Sequence, residues 1–132
     1  MTKDFIMMMT VESLYDWLTE KRIEVAQEKE YFNLQLLVIP HFICDDGTSI
    51  SIQASHFHYC DKKQELKDGD DDSSTAVDAH VYATFEISML ADDCKTDKLK
   101  QIYNERNFHD SVIGHVPIDW IVDEINVHQN IN

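Results

Sequence analysis

Apolar positions along the chain change their period several times, and each change marks an element. After Thr10, a plausible N-cap, Val11, Leu14, Tyr15, Leu18 and Val25 recur at helical spacing, with Trp17 widening the stripe. Glu12, Asp16, Glu20, Lys21, Glu24 and Glu28 fill the opposite side. This predicts a helix over residues 11–31. From Leu34 to Cys44 the chain is rich in Leu, Val, Ile and Phe, and it ends at the turn signal Asp45-Asp46-Gly47. A second β-rich run, Thr48 to Tyr59, predicts a hairpin. Pro40 lacks a backbone N–H, which places it on an edge strand or at a bulge.

Residues 61–76 break the pattern with Lys62, Lys63 and Lys67 followed by Asp68-Gly69-Asp70-Asp71-Asp72-Ser73-Ser74. They read as a mobile acidic loop, and residues 1–9 read as a mobile arm. From Val77 to Met89 apolar and polar residues alternate without a break, predicting one buried and one wet face. This strand is expected to pair antiparallel with the one ending near Cys60. A short helix follows Ala91-Asp92-Asp93, with Leu99, Ile102 and Tyr103 inward, and then a short strand over Ser111–Val116. Pro117 suits the first turn of a last helix with the stripe Ile118, Ile121, Val122 and Ile125, and Asp119 favours its positive end. Residues after Val127 are expected to fray. The order predicts a single α+β domain over residues 1–132. In it, an antiparallel sheet of three to four strands packs against an N-terminal and a C-terminal helix.

The chain has 132 residues, enough for one domain with a core of its own. Acids outnumber bases 25 to 11, a net charge of −14. That excludes a protein that grips nucleic acid directly or docks on anionic lipid, both of which need clustered Lys and Arg. Three cysteines, Cys44, Cys60 and Cys94, make no disulfide framework and fit a reducing compartment. The apolar run Phe5-Ile6-Met7-Met8-Met9 is too short for a signal sequence or a membrane span. These features predict a cytoplasmic protein.

Few residues suggest chemistry. On a strand, His56, His58 and Cys60 would share one face, and His80 or an aspartate on the neighbouring strand would complete a zinc set. Ile50, Ile52 and Ala54 share that face, however, which favours a polar strand end with a buried Cys60. Cys60 near His56 and His58, and Cys44 near His41, lack any nucleophile signature. The aspartate run at 68–72 lacks the EF-hand spacing, and no glycine-rich phosphate loop is present. No catalytic residue, resident metal or cofactor is expected.

Charge distribution says more. Between Lys67 and Lys95 there are many acids and no base, and from Asn107 onward there is no Lys or Arg. Asp68, Asp70, Asp71, Asp72, Asp78, Glu86, Asp119, Asp123 and Glu124 are expected to form one negative field. Such a field repels nucleic acid and suits the basic groove of a nucleic-acid enzyme, where it would mimic phosphate. The charge exceeds the ~2–8 that solubility requires of a small domain.

The stretch Ser49-Ile50-Ser51-Ile52-Gln53-Ala54-Ser55-His56-Phe57-His58-Tyr59-Cys60 resembles a strand of the form S-x-Q-A-S-x-x-H-Y-C found in small phage- and prophage-encoded proteins of unassigned role. Val112-Ile113-Gly114-His115-Val116-Pro117 is similar to the V-x-G-x-V-P segment that opens a terminal helix in the same group. The pattern departs after Cys60, where Asp61-Lys62-Lys63 replaces a Pro-Arg turn. The resemblance implies a mobile-element protein acting in the cytoplasm of an infected or lysogenic bacterial host. By analogy it implies a non-enzymatic anti-CRISPR or anti-restriction inhibitor. Its partner would be a basic host protein, a nuclease or CRISPR effector complex. A small-ligand or metal-binding module is an alternative. So is a self-assembling structural phage protein, pairing through the edge near Pro40 or through the N-terminal arm.

Overall fold

A computed structural model describes residues 8–29, 36–63, 75–106 and 112–129. Three α-helices and a five-stranded antiparallel sheet form an α+β fold. Helix α1 spans Val11–Lys29, strand β1 Phe42–Ile43, β2 Ser49–Gln53, β3 Asp61–Lys62 and β4 Tyr82–Ser88. Helix α2 spans Asp97–Arg106, strand β5 Val112–Pro117 and helix α3 Ile118–Val127.

Strand β4 is the centre of the sheet. It pairs with β5 along one side, and with β2 and β3 in turn along the other. The registers Ile52↔Ile87, Ile87↔Ile113 and Phe85↔Val116 set one row of buried side chains facing the helices. Leu14, Tyr15 and Leu18 of α1, Leu99 and Tyr103 of α2, and Ile118, Ile121, Val122 and Ile125 of α3 close the core. Each such buried aliphatic contributes roughly 1.5–3 kcal/mol.

Helix α1 starts where the sequence placed it. The Ser13 backbone N–H donates to Thr10 Oγ1 at 3.0 Å, and the Thr10 N–H donates to Ser13 Oγ at 2.8 Å. This reciprocal cap satisfies two donors that a helix start leaves open. The arm does not run free up to it. Met9 exchanges two backbone hydrogen bonds with the Asn126 side chain, at 2.7 and 2.8 Å. Residues 1–7 lie outside the described residues.

The first hairpin forms with much shorter strands than the apolar runs suggest. Pro40 interrupts the ladder, and the Gln53 side chain substitutes for the missing strand partner. Its Oε1 accepts from Ile39 N–H and its Nε2 donates to the Ile39 carbonyl, both at 2.9 Å. An amide has the same donor and acceptor pair as a peptide, so it can continue a ladder across a break. Gly47, at φ +91°, makes the turn.

Strand β2 ends at Gln53 rather than Tyr59, and residues 54–60 leave the sheet as a looped turn. The chain rejoins as β3, so Asp61 and Lys62 of the expected loop are paired with Thr84 and Tyr82. Residues 64–74 lie outside the described residues. The alternation from Val77 is broken by a 3-10 turn at Ala79–Val81, whose three-residue period shifts the phase. Tyr82, expected on the wet face, is therefore buried with Phe85.

Between Phe85↔Val116 and Ile87↔Ile113, two residues of β5, Gly114 and His115, oppose Glu86 alone. This is a β-bulge, and His115 takes the left-handed conformation at φ +57°. Its N–H donates to the Tyr59 carbonyl at 2.9 Å, and its Nδ1 meets Asp61 Oδ2 at 2.8 Å. Tyr59 lies directly on Gly114, where an added Cβ would stand 2.5 Å from Tyr59 Cβ. Gly114→Ala is expected to displace the 54–60 turn and cost about 1–3 kcal/mol, as overpacking does. Urea unfolding measures the cost, and a change in the Tyr59 ring resonances locates it.

Pro117 ends β5 and caps α3 instead of sitting in its first turn. The helix stripe is the expected one, and all four residues are buried. The chain does not fray at Val127, because His128 is only 2% exposed.

Candidate functional site

The His56–His58–Cys60 set loses its common face when β2 ends at Gln53. His56 is exposed and packs edge-on against Phe57, and its backbone N–H donates to Thr75 Oγ1 at 2.8 Å. His58 is half-buried, with Nδ1 2.6 Å from Ser55 Oγ. Burial pulls its pKa down, so the ring is neutral and accepts from the serine hydroxyl. Cys60 is half-buried rather than buried, and its Sγ donates to the Ser55 carbonyl at 3.6 Å. Ser55 itself is 3% exposed, so the hydroxyl–imidazole pair locks a turn and offers no accessible nucleophile. Gln53, Ser55, His58 and Cys60 of the phage-like stretch thus all serve the local fold.

No thiol is activated. Burial raises the Cys60 pKa, and burial followed by the Glu124 carboxylate pushes Cys94 up to about 12. Burial and then the Asp46 charge do the same for Cys44, also to about 12. A reactive thiol needs the reverse shift.

His80 is the histidine that meets other metal-ligating groups. It lies in the 3-10 turn capped by Asp78, whose Oδ1 accepts the His80 backbone N–H at 3.0 Å and Nδ1–H at 2.8 Å. The ring stacks on Tyr15 with centroids 4.8 Å apart. Its Nε2 lies 3.1 Å from Glu12 Oε2 and 3.4 Å from Asp16 Oδ1. Glu12 and Asp16 share a helix face because they are four residues apart. Hydrogen bonding to Asp78, more than any other cause, raises the His80 pKa, while Asp78 is held low by the same contacts. Among the described residues, Glu12, Asp16 and His80 are a group whose ligand atoms converge, all within 4.8 Å of one another. His80 meets carboxylates of α1 rather than the 54–60 turn that carries His56, His58 and Cys60. The available signal was the i, i+4 carboxylate pair on α1.

The expected acidic field is redistributed. Asp119 and Asp123 are exposed on α3, and Asp78 is exposed beside α1. Glu86 is half-buried and accepts the Tyr59 N–H at 3.2 Å. Glu124 does not belong to the surface at all, being 1% exposed. Both its oxygens are taken up by Lys95 and Thr96 at the start of α2 and by His128. Asp68, Asp70, Asp71 and Asp72 lie outside the described residues.

The structure shows instead a carboxylate row along α1. Glu12, Asp16, Glu20, Glu24 and Glu28 all fall at i+4 spacing and all are exposed. They form one inclined ridge, with a charge every ~6 Å over a length of about 24 Å. Lys21 touches Glu24 at 3.7 Å and offsets the ridge only locally. Among the described residues, no helix is long and apolar enough to cross a membrane.

Comparison with protein-family models, with curated proteins and with solved structures gives no match for this chain. Its class is therefore defined by the fold alone, an α+β protein with an acidic N-terminal helix.

Proposed function

We propose that the chain is a non-enzymatic, phage-type inhibitor of a host defence nuclease, and that it occupies a basic nucleic-acid-binding groove with its acidic surface. The carboxylate ridge of α1 is the observation that carries this reading. Its regular spacing along a rigid helix imitates the repeated charge of a nucleic-acid strand, which carries one phosphate per ~3.4 Å of axis. The side chains sit on a helix held by the core through Leu14, Tyr15 and Leu18, so the row is ordered before any partner arrives. Asp78, Asp119 and Asp123 add charge beyond the ridge.

The test uses the protein and a neutralised variant, Glu12→Gln, Asp16→Asn, Glu20→Gln, Glu24→Gln and Glu28→Gln, as paired baits in bacterial lysate. The wild type is expected to retain nucleic-acid-processing proteins at low salt. They should be released by added DNA or RNA and by salt that shortens the Debye length below ~8 Å. The variant should retain at least tenfold less, since each lost contact in such an interface is worth a sizeable part of a kilocalorie or more. Equal retention by the two baits, or insensitivity to competing nucleic acid, would overturn the reading.

A further inference from the structure

We propose that Glu12, Asp16 and His80 form a zinc site, with Asp78 as the group that orients the imidazole.

The first support is spacing. Ligand atoms ~2.0–2.1 Å from a tetrahedral Zn2+ stand about 3.3 Å from one another. His80 Nε2 lies 3.1 Å from Glu12 Oε2 and 3.4 Å from Asp16 Oδ1. The imidazole is thus at coordination spacing from each carboxylate, and the three ligand atoms lie within 4.8 Å of one another, a gap that exposed Glu12 and Asp16 side chains close by rotation. One imidazole and two carboxylates are a donor set that zinc accepts, and three protein ligands leave the fourth position to water.

The second support is independent of those two carboxylates. Histidines that bind metal usually give their other ring N–H to a carboxylate, which fixes tautomer and ring angle. Asp78 receives Nδ1–H of His80 at 2.8 Å, and the same oxygen caps the 3-10 turn that carries the ring. Thr19 Oγ1 on α1 donates to Asp78 Oδ1 at 3.4 Å and accepts the Ala79 N–H at 3.0 Å. Tyr15 stacks on the imidazole, and its own hydroxyl is tied to the Tyr82 carbonyl at 2.6 Å. Helix α1 therefore supplies two ligands, the stacking partner and the second tie on Asp78, all within two turns.

Charge favours the same conclusion. Three carboxylates surround one imidazole, and a dication that replaces the proton on Nε2 offsets more of their charge than that proton does. The His80 side chain is 34% exposed, so an ion reaches it without any opening of the fold. The proposal does not rest on the inhibitory reading, although an ion on Glu12 and Asp16 leaves Glu20, Glu24 and Glu28 as the open part of the ridge, and its test needs no partner protein.

The test is calorimetric titration of the metal-stripped protein with zinc chloride at neutral pH. One Zn2+ per chain is expected. Glu12→Gln, Asp16→Asn and His80→Gln should each weaken binding more than ~10-fold, and Asp78→Asn by roughly 10–100-fold, as for other orienting groups. A combined His56→Asn, His58→Gln and Cys60→Ser variant should bind like the wild type. Absence of saturable binding, binding unchanged in His80→Gln, or binding lost in the combined variant would overturn the proposal. Should a variant lose its circular dichroism signature, nitrogen NMR of the unaltered protein decides. Zn2+ must shift the His80 Nε2 resonance first, and a first shift at another histidine refutes the site.

Discussion

Arg22→Met is expected to unfold at markedly lower urea concentration than the wild type, with a loss of about 3 kcal/mol or more. Arg22 is 1% exposed, yet no carboxylate meets its guanidinium among the contacts of the described residues. It is held by backbone carbonyls and by a hydrogen bond with the Tyr82 side chain. Nη1 donates to the Ala54 carbonyl at 2.8 Å, Nε to the Val77 carbonyl at 3.0 Å, and Nη2 to the Ala76 carbonyl. The group also lies over the Tyr82 ring, 5.2 Å from its centroid. Burial lowers the arginine pKa, because the interior solvates the charge poorly. Removing the side chain relieves that desolvation but leaves three carbonyls without donors. The Ala54 bond is buried and the Val77 and Ala76 bonds are part-buried, and a buried unpaired carbonyl costs ~1–3 kcal/mol, so the carbonyl side wins. Against a total stability of ~5–15 kcal/mol this is a large share. Arg22→Lys should recover part of the loss, since an ammonium has three donors but no planar fork. Hydrogen exchange at Ala76–Asp78 should quicken in Arg22→Met before the rest of the chain. A loss under ~1 kcal/mol would mean that water satisfies those carbonyls and that the clamp is weak.

Arg22 also shows what the sequence withheld. It follows Leu18 by four residues and precedes Val25 by three, so its position is a core position by period. Periodicity reports which face a residue is on. It does not report whether three backbone carbonyls wait there for a charged donor, because those carbonyls come from residues more than thirty positions away. The stripe of α3, the Thr10 cap and the turn at Gly47 were legible because each depends on neighbours in sequence. The β-rich run Thr48–Tyr59 is longer than the strand it forms for the opposite reason. Ser55 and His58 bond each other locally, and such bonds compete with the ladder. The unbroken alternation from Val77 hid a 3-10 turn, because Asp78 capping the His80 N–H leaves no trace in hydrophobicity. For the His80 cluster, the sequence shows a histidine on a long strand but not the carboxylates that meet it. Glu12 and Asp16 sit on α1, more than sixty residues earlier, where carboxylates read as an ordinary wet face.

Glu124→Gln is expected to cost about 3 kcal/mol at neutral pH, and the deficit should shrink as the pH falls. Glu124 Oε2 accepts from Lys95 N–H at 2.8 Å and His128 Nε2 at 2.7 Å. Oε1 accepts from Thr96 N–H at 3.0 Å and Thr96 Oγ1 at 2.7 Å. Both oxygens are thus surrounded by donors, and a glutamine must point its NH2 at two of them whichever way it turns. His128 Nδ1 meets Asp46 Oδ2 at 2.7 Å, so both ring nitrogens face carboxylates. The Asp46–His128–Glu124 chain joins the β1–β2 turn, the end of α3 and the start of α2. Burial pushes the Glu124 pKa up, but the Lys95 and Thr96 donors together with His128 outweigh it and hold it below the usual range. Burial likewise opposes ionisation at Asp46, yet Thr48 and His128 bring its pKa down to about 2. A carboxylate whose folded pKa is depressed adds stability above its unfolded pKa and loses it as pH falls through the folded value. The wild type should therefore weaken from near pH 4.5 down towards pH 2, and Glu124→Gln should weaken less over that window. Urea unfolding of both proteins at pH 7 and pH 3 measures this. A gap that stays constant between the two pH values would show that the glutamine acts by packing, and a gap under ~1 kcal/mol at pH 7 would show that the buried carboxylate contributes little beyond its amide equivalent.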